Sequence, residues 1–328
     1  MLSPTALTQF HALPIPMLDE AGGKRLTFVI HGERAGNPAL RHLVEWVRGK
    51  GHDVDPRVTW ERGDGVRLAR EAAMAGADIV VAIGGDGTVN EVVNGLAQAA
   101  ANKPGAPRPS LGIVPFGTAN DFARQAGIPS DDPDHAMDFI LQRKPVLVDT
   151  GEMNGRRFLN VSTAGVGAEA TAETPAEAKA SLGPLAYAIT GARKLGTLEP
   201  YRAKFTAPGF ELESEFLLFA VGNARSTGGG TLITPRATVT DGLLDLCVVE
   251  AMPIGAFARL LLRLKKGEHL DDEGVHYRQL PSLTVRASVP ISVNLDGESS
   301  EAMELFYLAN PGALLVHVGH LPGEAEES

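Results

Sequence analysis

The stretch that decides the fold is residues 81–96, Val-Ala-Ile-Gly-Gly-Asp-Gly-Thr-Val-Asn-Glu-Val-Val-Asn-Gly-Leu. It begins inside an almost wholly apolar run that ends at Ile83, which is typical of a strand buried on both faces of a parallel sheet. Behind the glycines, apolar residues recur at helical intervals, and Thr88 and Glu91 have the spacing of a capping box. The stretch therefore predicts a strand, a glycine turn and a helix in immediate succession.

The glycine turn has the chemistry of a phosphate site. Gly84, Gly85 and Gly87 permit unusual backbone torsions and close approach of a ligand, and a helix N-terminus attracts anions. The P-loop pattern does not occur, and the third glycine of the dinucleotide fingerprint is missing. Asp86 would repel phosphates unless it binds a metal ion or caps loop amides. From these residues alone, a phosphate site and a tight turn stabilised by its own aspartate both remain open.

Strands and helices alternate around this stretch. The patterns predict strands at residues 26–30, 54–60 and 111–114, and helices at 38–47, 65–75 and 118–126. Such alternation implies right-handed parallel crossovers, with ligands at the carboxyl ends of the strands. Thr59, the Asp86 loop and the Thr118 turn all lie at the carboxyl ends of predicted strands, so we expect them along one edge of the sheet.

After Pro145 the pattern becomes mainly β. An Asn-Gly turn at residues 154–155 lies between two apolar runs and predicts a hairpin, and further β runs lie at 201–206, 215–221, 243–250, 291–295, 305–308 and 314–318. Two helices are predicted within this region, at residues 175–194 and 254–266. The domains expected are a loose extension over 1–23, a doubly wound α/β nucleotide-binding domain over 24–144 and a mainly β domain over 145–300, followed by a segment over 301–328.

Composition excludes several classes of protein. The chain has 328 residues, of which 44% are hydrophobic, enough for two cores. Its one cysteine, Cys247, lies in an apolar run, so we expect a buried thiol, no disulfide framework and a cytoplasmic protein. Neither an export signal nor an apolar run long enough to span a membrane is evident. The net charge of −10 argues against nucleic acid as a partner and disfavours strong adhesion to anionic lipid.

Five short blocks together indicate a family. The chain resembles the diacylglycerol kinase catalytic-domain superfamily, and within it the bacterial YegS-like lipid kinases, at residues 57–61, 84–91, 116–123, 241–244 and 294–298. A glycine-aspartate loop alone would also fit NAD kinases and sphingosine-type kinases, but five blocks in the family's order are more specific. The resemblance implies an NAD kinase/diacylglycerol kinase-like first domain and a sandwich-like second domain. It also implies that residues 301–328 return to the first domain.

The resemblance also implies site residues. ATP would contact Thr59, Gly84, Gly85, Asp86, Gly87, Thr88, Val89, Asn90, Thr118 and Asp121. Mg²⁺ would offset the triphosphate charge near Asp86 and Asp121, and a second Mg²⁺ would take the Asp241 carboxylate with the main-chain carbonyls of Thr238 and Leu243. Glu298 would act as general base, with Asp296 in support and Asp86 required for transfer. From the sequence pattern alone, without the family resemblance, Asp241 and Asp296 would be interpreted as ordinary turn residues.

The activity expected is an ATP- and Mg²⁺-dependent kinase that phosphorylates a diacylglycerol-like or phosphatidylglycerol-like lipid during transient contact with a membrane surface. An NAD kinase-like enzyme and a non-catalytic ATP-sensing regulator are the alternatives, although a sensor needs no base.

The predicted helix at residues 254–266 has an apolar face opposite a basic face. The apolar face consists of Phe257, Leu260, Leu261 and Leu264, and the basic face of Arg259, Arg263 and Lys266. Such a helix either lies on a lipid surface or packs its apolar face on the β domain, and we favour packing.

Overall fold

The computed structural model describes residues 22–165 and 199–321. Its first part is a parallel sheet in the order β2-β1-β3-β4. The strands are β1 (Arg25–Ile30), β2 (Asp53–Val58), β3 (Ile79–Gly84) and β4 (Ser110–Pro115). The α-helices are α1 (Pro38–Gly49), α2 (Asp64–Ala75), α3 (Asp86–Asn102), α4 (Asp121–Gln125) and α5 (Pro133–Gln142), and a short 3₁₀ turn covers Gly32–Arg34.

Helices cover both faces of this sheet because its central strand β3 is apolar at every position. All six residues of β3 are buried. Val80 and Ala82 face a core that α2 and α3 complete, whereas Ile79, Val81 and Ile83 face a second core with α1 and α5. The doubly wound architecture predicted from the alternating pattern is therefore confirmed.

The second part is mainly antiparallel β. Its strands are β5 (Val146–Met153), β6 (Arg156–Phe158), β7 (Val161–Gly165), β8 (Tyr201–Ala207), β9 (Phe210–Gly222), β10 (Leu244–Glu250), β11 (Val275–Leu280), β12 (Ser282–Leu295) and β13 (Glu298–Val316), and its helix is α6 (Ile254–Leu264). Three aromatic rings, Phe205, Phe216 and Phe219, meet edge to face in its core at centroid distances of 5.3–5.7 Å. This aromatic packing joins β8 to β9 in the interior of the domain.

The longest strand, β13, links the two parts. Its first half pairs with β12 and its second half with β5. At its end Val316 pairs in parallel with Leu111 of β4, and the His317 amide donates to the Leu111 carbonyl at 3.1 Å. Residues 298–317 therefore run from the second sheet back onto the edge of the first.

Several elements differ from the sequence predictions. Helix α5 was not predicted, although Asp132 caps it and Pro133 occupies its first turn. Strand β11 was also missed, and β13 is one strand where two were expected. The Asn154–Gly155 hairpin is confirmed, with both residues at positive φ. The predicted helix at 175–194 and nearly all of the extension at 1–23 lie outside the described residues.

Helix α6 packs on the sheet. Its four apolar residues, Phe257, Leu260, Leu261 and Leu264, are at most 6% exposed and contact a core that includes Val161, Leu218 and Cys247. The core covers this apolar face. The interpretation that the face lies on lipid is therefore wrong, and the interpretation that it packs on the β domain is confirmed. In the described ranges, no helix is both long enough and apolar enough to cross a bilayer.

Candidate active site

The glycine loop lies where β3 ends and α3 begins. None of Gly84, Gly85 and Gly87 has a positive φ, and Gly85 is extended at φ −94°, so the prediction that they supply unusual torsions is wrong. Two of these glycines are required because neighbouring atoms lie too close to leave room for a side chain. A Cβ on Gly84 would lie 2.3 Å from Thr88 Oγ1, and one on Gly85 would lie 3.0 Å from the Gly117 Cα. A Cβ on Gly87 would meet nothing within 4 Å, so the main chain there is open to a ligand.

The helix start decides which amides can receive a phosphate. The Val89 amide donates to the Gly85 carbonyl at 3.1 Å, which is the first bond of α3. The amides of Gly87 and Thr88 precede that bond and belong to the unpaired first turn of a helix. Val89 and the residues after it lie inside the helix, so their amides fit the predicted phosphate contact less well.

The predicted capping box is wrong because α3 begins at Asp86, two residues before Thr88. Glu91 instead reaches the neighbouring helix. Its carboxylate accepts the amides of Gly63 and Gly65 at 2.8 and 2.7 Å, at the N-terminus of α2. The glutamate thereby fixes the two helix N-termini next to each other.

Asp86 caps the loop that follows β4. Its Oδ1 accepts the Asp121 amide at 2.8 Å. Burial, and next the charge of Asp121, raise the pKa of Asp86 above its ordinary value. The amides of Asn120 and of Asp86 itself act on the carboxylate as further donors and lower that pKa. A carboxylate offers about four lone-pair sites, so these donors leave acceptor capacity for a cation.

The loop after β4 lies directly against the glycine loop. A Cβ on Gly117 would lie 2.5 Å from the Gly85 Cα, so both positions require glycine. Asn120 has a φ of 48°, and its side-chain amide bonds both the amide and the carbonyl of Gly117, at 3.0 and 2.9 Å. Thr118 is exposed within this loop. A pocket of about 300 Å³ opens beside it, lined by Asn37, Phe116, Gly117, Asn120 and Pro133 among others.

Asp121 and Thr59 have partners of their own. The buried Asp121 carboxylate accepts the amides of Gly229 and Gly230 at 2.9–3.2 Å, which fastens it to a loop of the second domain. Thr59 Oγ1 accepts the Gly32 amide at 3.1 Å beyond the end of β2. The side chains of Thr59 and Asp121 therefore already hold neighbouring loops.

Asp296 is buried in the turn between β12 and β13, with a φ of 47°. Its carboxylate accepts four donors at 2.8–3.2 Å: Asn90 Nδ2 and the amides of Leu159, Asn160 and Val161. Burial raises the pKa of Asp296 to about 6, and the Asp86 charge adds to that rise against the effect of the donors. Asn90 joins the glycine-loop helix to this turn through its side chain.

Glu298 begins β13 beside two arginines that sequence reasoning missed. Its Oε2 accepts from Arg156 Nη2 and lies 3.2 Å from Arg62 Nη2. Arg62 belongs to the loop after β2, and Arg156 begins β6, so they come from both domains. Nothing in their sequence spacing points to Glu298, because this contact depends on how the domains pack.

Asp241 lies in an exposed turn before β10. Its carboxylate accepts Thr238 Oγ1 at 2.7 Å and the Leu243 amide at 2.9 Å, so the three residues of the predicted metal site lie near one another. These bonds do not involve the carbonyls of Thr238 and Leu243, which the prediction names as ligands. Asp149 accepts the adjacent Gly242 amide at 2.7 Å, and burial followed by the Asp241 charge raises the pKa of Asp149. Within residues 22–165 and 199–321, no three His, Cys, Asp or Glu side chains cluster as metal ligands. A single carboxylate with carbonyls and water would still suit a hard cation.

The sequence and the fold match known proteins throughout both domains. The family model of the Diacylglycerol kinase catalytic domain matches residues 25–153, and that of the YegS C-terminal NAD kinase beta sandwich-like domain matches residues 160–318. A Pseudomonas aeruginosa protein named "Probable lipid kinase YegS-like" is 41% identical over 294 residues, covering 90% of this chain and 94% of that protein. A Stenotrophomonas maltophilia protein of the same name is 38% identical over 299 residues, covering 90% and 96%.

A solved structure agrees. The crystal structure of a "putative diacylglycerol kinase" from Bacillus anthracis superposes with a TM-score of 0.74 at 27% identity, covering 90% of this chain and 98% of that one. These matches thus extend over both domains of this chain. The chain belongs to the YegS-like lipid kinases, which carry the diacylglycerol kinase catalytic domain and transfer phosphate to an alcohol group.

Proposed function

We propose that the chain is an ATP- and Mg²⁺-dependent kinase that phosphorylates a hydroxyl of a diacylglycerol-like or phosphatidylglycerol-like lipid in the cleft between its domains. One observation carries this proposal. The bond of 3.1 Å between Asn90 Nδ2 and the Asp296 carboxylate joins the phosphate-loop helix of one domain to the turn that carries Glu298 in the other. A phosphoryl donor on the loop and an acceptor at Glu298 would therefore face each other.

The loop suits a triphosphate. The main chain at Gly87 is open, and the amides of Gly87 and Thr88 point from a helix N-terminus, where anions are favoured. The pocket beside Gly117 is large enough to take part of a small molecule such as the nucleoside. Mg²⁺ supplies charge neutralisation of the phosphates when it is bound, and Asp86 is the carboxylate with acceptor capacity to hold it.

The Glu298 carboxylate fits the role of a base for the acceptor hydroxyl. Phosphoryl transfer depends mostly on positioning and charge stabilisation, and a base adds about 10²–10⁴-fold. Arg62 is 70% exposed, so an entering hydroxyl can replace this arginine at the Glu298 carboxylate. Asp296 supports Glu298 indirectly, because its four donors fix the turn from which β13 starts.

Release of ADP tests the proposal and separates the alternatives. We expect ADP when ATP, Mg²⁺ and a candidate lipid in detergent micelles are all present, and a loss of about 10²-fold or more in Glu298→Gln. Release that follows added NAD instead of lipid would favour an NAD kinase-like enzyme. ATP binding without ADP release under any condition would favour a sensor.

A further inference from the structure

Trp60 projects from the protein beside the proposed active site. Its side chain is 94% exposed, the highest fraction among the exposed large hydrophobic residues of the described chain. Tryptophan is highly buried on average in folded proteins, so this exposure needs an explanation. The other tryptophan, Trp46, shows the ordinary case, since it packs partly buried on the first domain's core and carries Lys50 Nζ 4.0 Å above its ring.

The loop under Trp60 is fixed by hydrogen bonds. The Thr59 amide donates to the Ile30 carbonyl at 2.9 Å, and the amides of Trp60 and Glu61 donate to Asp64 Oδ2 at 2.8 and 3.1 Å. Glu91 holds the next part of the loop through the amides of Gly63 and Gly65. The backbone therefore presents the indole to the outside in a defined direction.

Two exposed cations accompany the indole. Arg62, two residues further along the loop, is 70% exposed, and Arg156 is 41% exposed, and both contact Glu298. The Cα atoms of residues 60 and 62 are at most about 7 Å apart. Glu61 is exposed and Glu298 contacts both arginines, so two carboxylates offset the two cations locally, and the whole chain carries −10. The indole is therefore the group that distinguishes this surface.

We propose that Trp60, with Arg62 and Arg156 beside it, forms an anchor patch that docks the enzyme on a lipid bilayer. Indole rings prefer the headgroup level of a membrane, where amphipathic rings are enriched, so the ring supplies the anchor. The hydroxyl of a lipid acceptor lies at that same level, so docking through Trp60 brings Glu298 to the depth of the group it serves. This inference rests on the proposed role of Glu298.

Fluorescence gives a direct test because the chain has only two tryptophans. In Trp46→Phe, all tryptophan emission comes from Trp60. We expect vesicles of phosphatidylserine and phosphatidylcholine, without ATP, to shift this emission to the blue, and brominated lipids to quench it. Emission unchanged by vesicles in protein with an unaltered melting temperature would overturn the proposal.

Co-sedimentation with the same vesicles supplies a second test with a matched control. Removing the indole in Trp60→Ala should weaken binding by about tenfold, since an aromatic side chain contributes most of the apolar area available to such a patch. Leu262→Ala, which truncates a residue 71% exposed on α6, should leave binding unchanged. Equal losses in the two variants would contradict a patch centred on Trp60.

Activity assays distinguish a docking role of Trp60 from a role in catalysis. Trp60→Ala should lower phosphorylation of a vesicle-borne acceptor and leave that of a soluble short-chain acceptor near the wild-type value. An equal loss on both acceptors would place Trp60 on the nucleotide and overturn the docking role. If the wild type phosphorylates no lipid at all, the proposed function fails, while the vesicle experiments still decide whether the patch binds a membrane.

Discussion

Asp86 and Asp296 each follow the end of a strand at the candidate active site, but they have different hydrogen-bond partners. Asp86 follows the end of β3 and accepts the Asp121 amide at 2.8 Å, with the amides of Asn120 and of Asp86 itself as further donors, whereas Asp296 follows β12 and accepts four donors at 2.8–3.2 Å. Burial raises the pKa of both carboxyl groups. Asp86 keeps acceptor capacity and Asp296 uses nearly all of its own. We infer that Asp86 serves the chemistry and Asp296 serves the architecture that supports it.

The largest effect expected is on turnover at Asp86. Asp86→Asn is nearly isosteric and removes only charge, so we expect transfer to fall by about 10³-fold or more with an unchanged melting temperature. Asp271→Asn, at an exposed aspartate of the second domain, is the matched control and should turn over normally. If Asp86→Asn turned over as fast as the wild type at saturating Mg²⁺, the carboxylate of Asp86 would serve only to cap the loop.

The next effect is on stability at Asp296. Asp296→Ala leaves Asn90 Nδ2 and three backbone amides without their buried acceptor, so we expect unfolding free energy to fall by about 3 kcal/mol. Asp86→Ala removes the acceptor of one close amide, that of Asp121, and should lose less, about 1 kcal/mol. Urea denaturation of both variants measures the difference. Similar losses would mean that the two aspartates are equally structural.

Asp241 differs from both, because its carboxylate accepts donors from its own turn and is exposed to an incoming cation. We expect Mg²⁺ without ATP to raise the melting temperature. At 100 times the dissociation constant the stabilisation is about 2.7 kcal/mol, and Asp241→Ala should remove it. Identical melting of the wild type with and without Mg²⁺ would argue against a structural magnesium site.

The smallest effect is a shift in the pH dependence of turnover. Burial, then the Asp121 charge, raise the pKa of Asp86, so its carboxylate takes up a proton at a higher pH than an ordinary aspartate. If the charged form is required, turnover falls as pH is lowered through that raised pKa. The acid limb of the kcat/KM profile, which reports groups of the free enzyme, should thus lie above the usual aspartate range near about 4. A profile flat down to that pH would contradict a required Asp86 charge.

Much of the first domain could be predicted because its signals are local. Runs of apolar residues define β1, β3 and β4, and each is buried as expected. The carboxyl ends of the strands do carry Thr59, Asp86 and the loop with Thr118. Helix α5 was missed because a ten-residue helix that buries only Ala136, Met137 and Ile140 gives a weak periodic signal.

The site could be predicted less completely because its contacts are long-range. Asn90 and Asp296 are separated by 206 positions, and Arg156 and Glu298 by 142. No spacing rule relates such residues. Asp296 and Glu298 were identified only through the family resemblance, and Arg62 and Arg156 were missed. The capping interpretation of Glu91 failed for the same reason, since its partners, Gly63 and Gly65, lie on another helix.

Transfer of the labelled γ-phosphate of ATP to a lipid tests the central proposal most directly, because it separates kinase activity from ATP hydrolysis. With Mg²⁺ and a diacylglycerol or phosphatidylglycerol acceptor in micelles, we expect the label in the extracted lipid for the wild type and about 10³-fold less of it for Asp86→Asn. Label found only in free phosphate, or in NADP when NAD is supplied, would contradict an ATP-dependent lipid kinase.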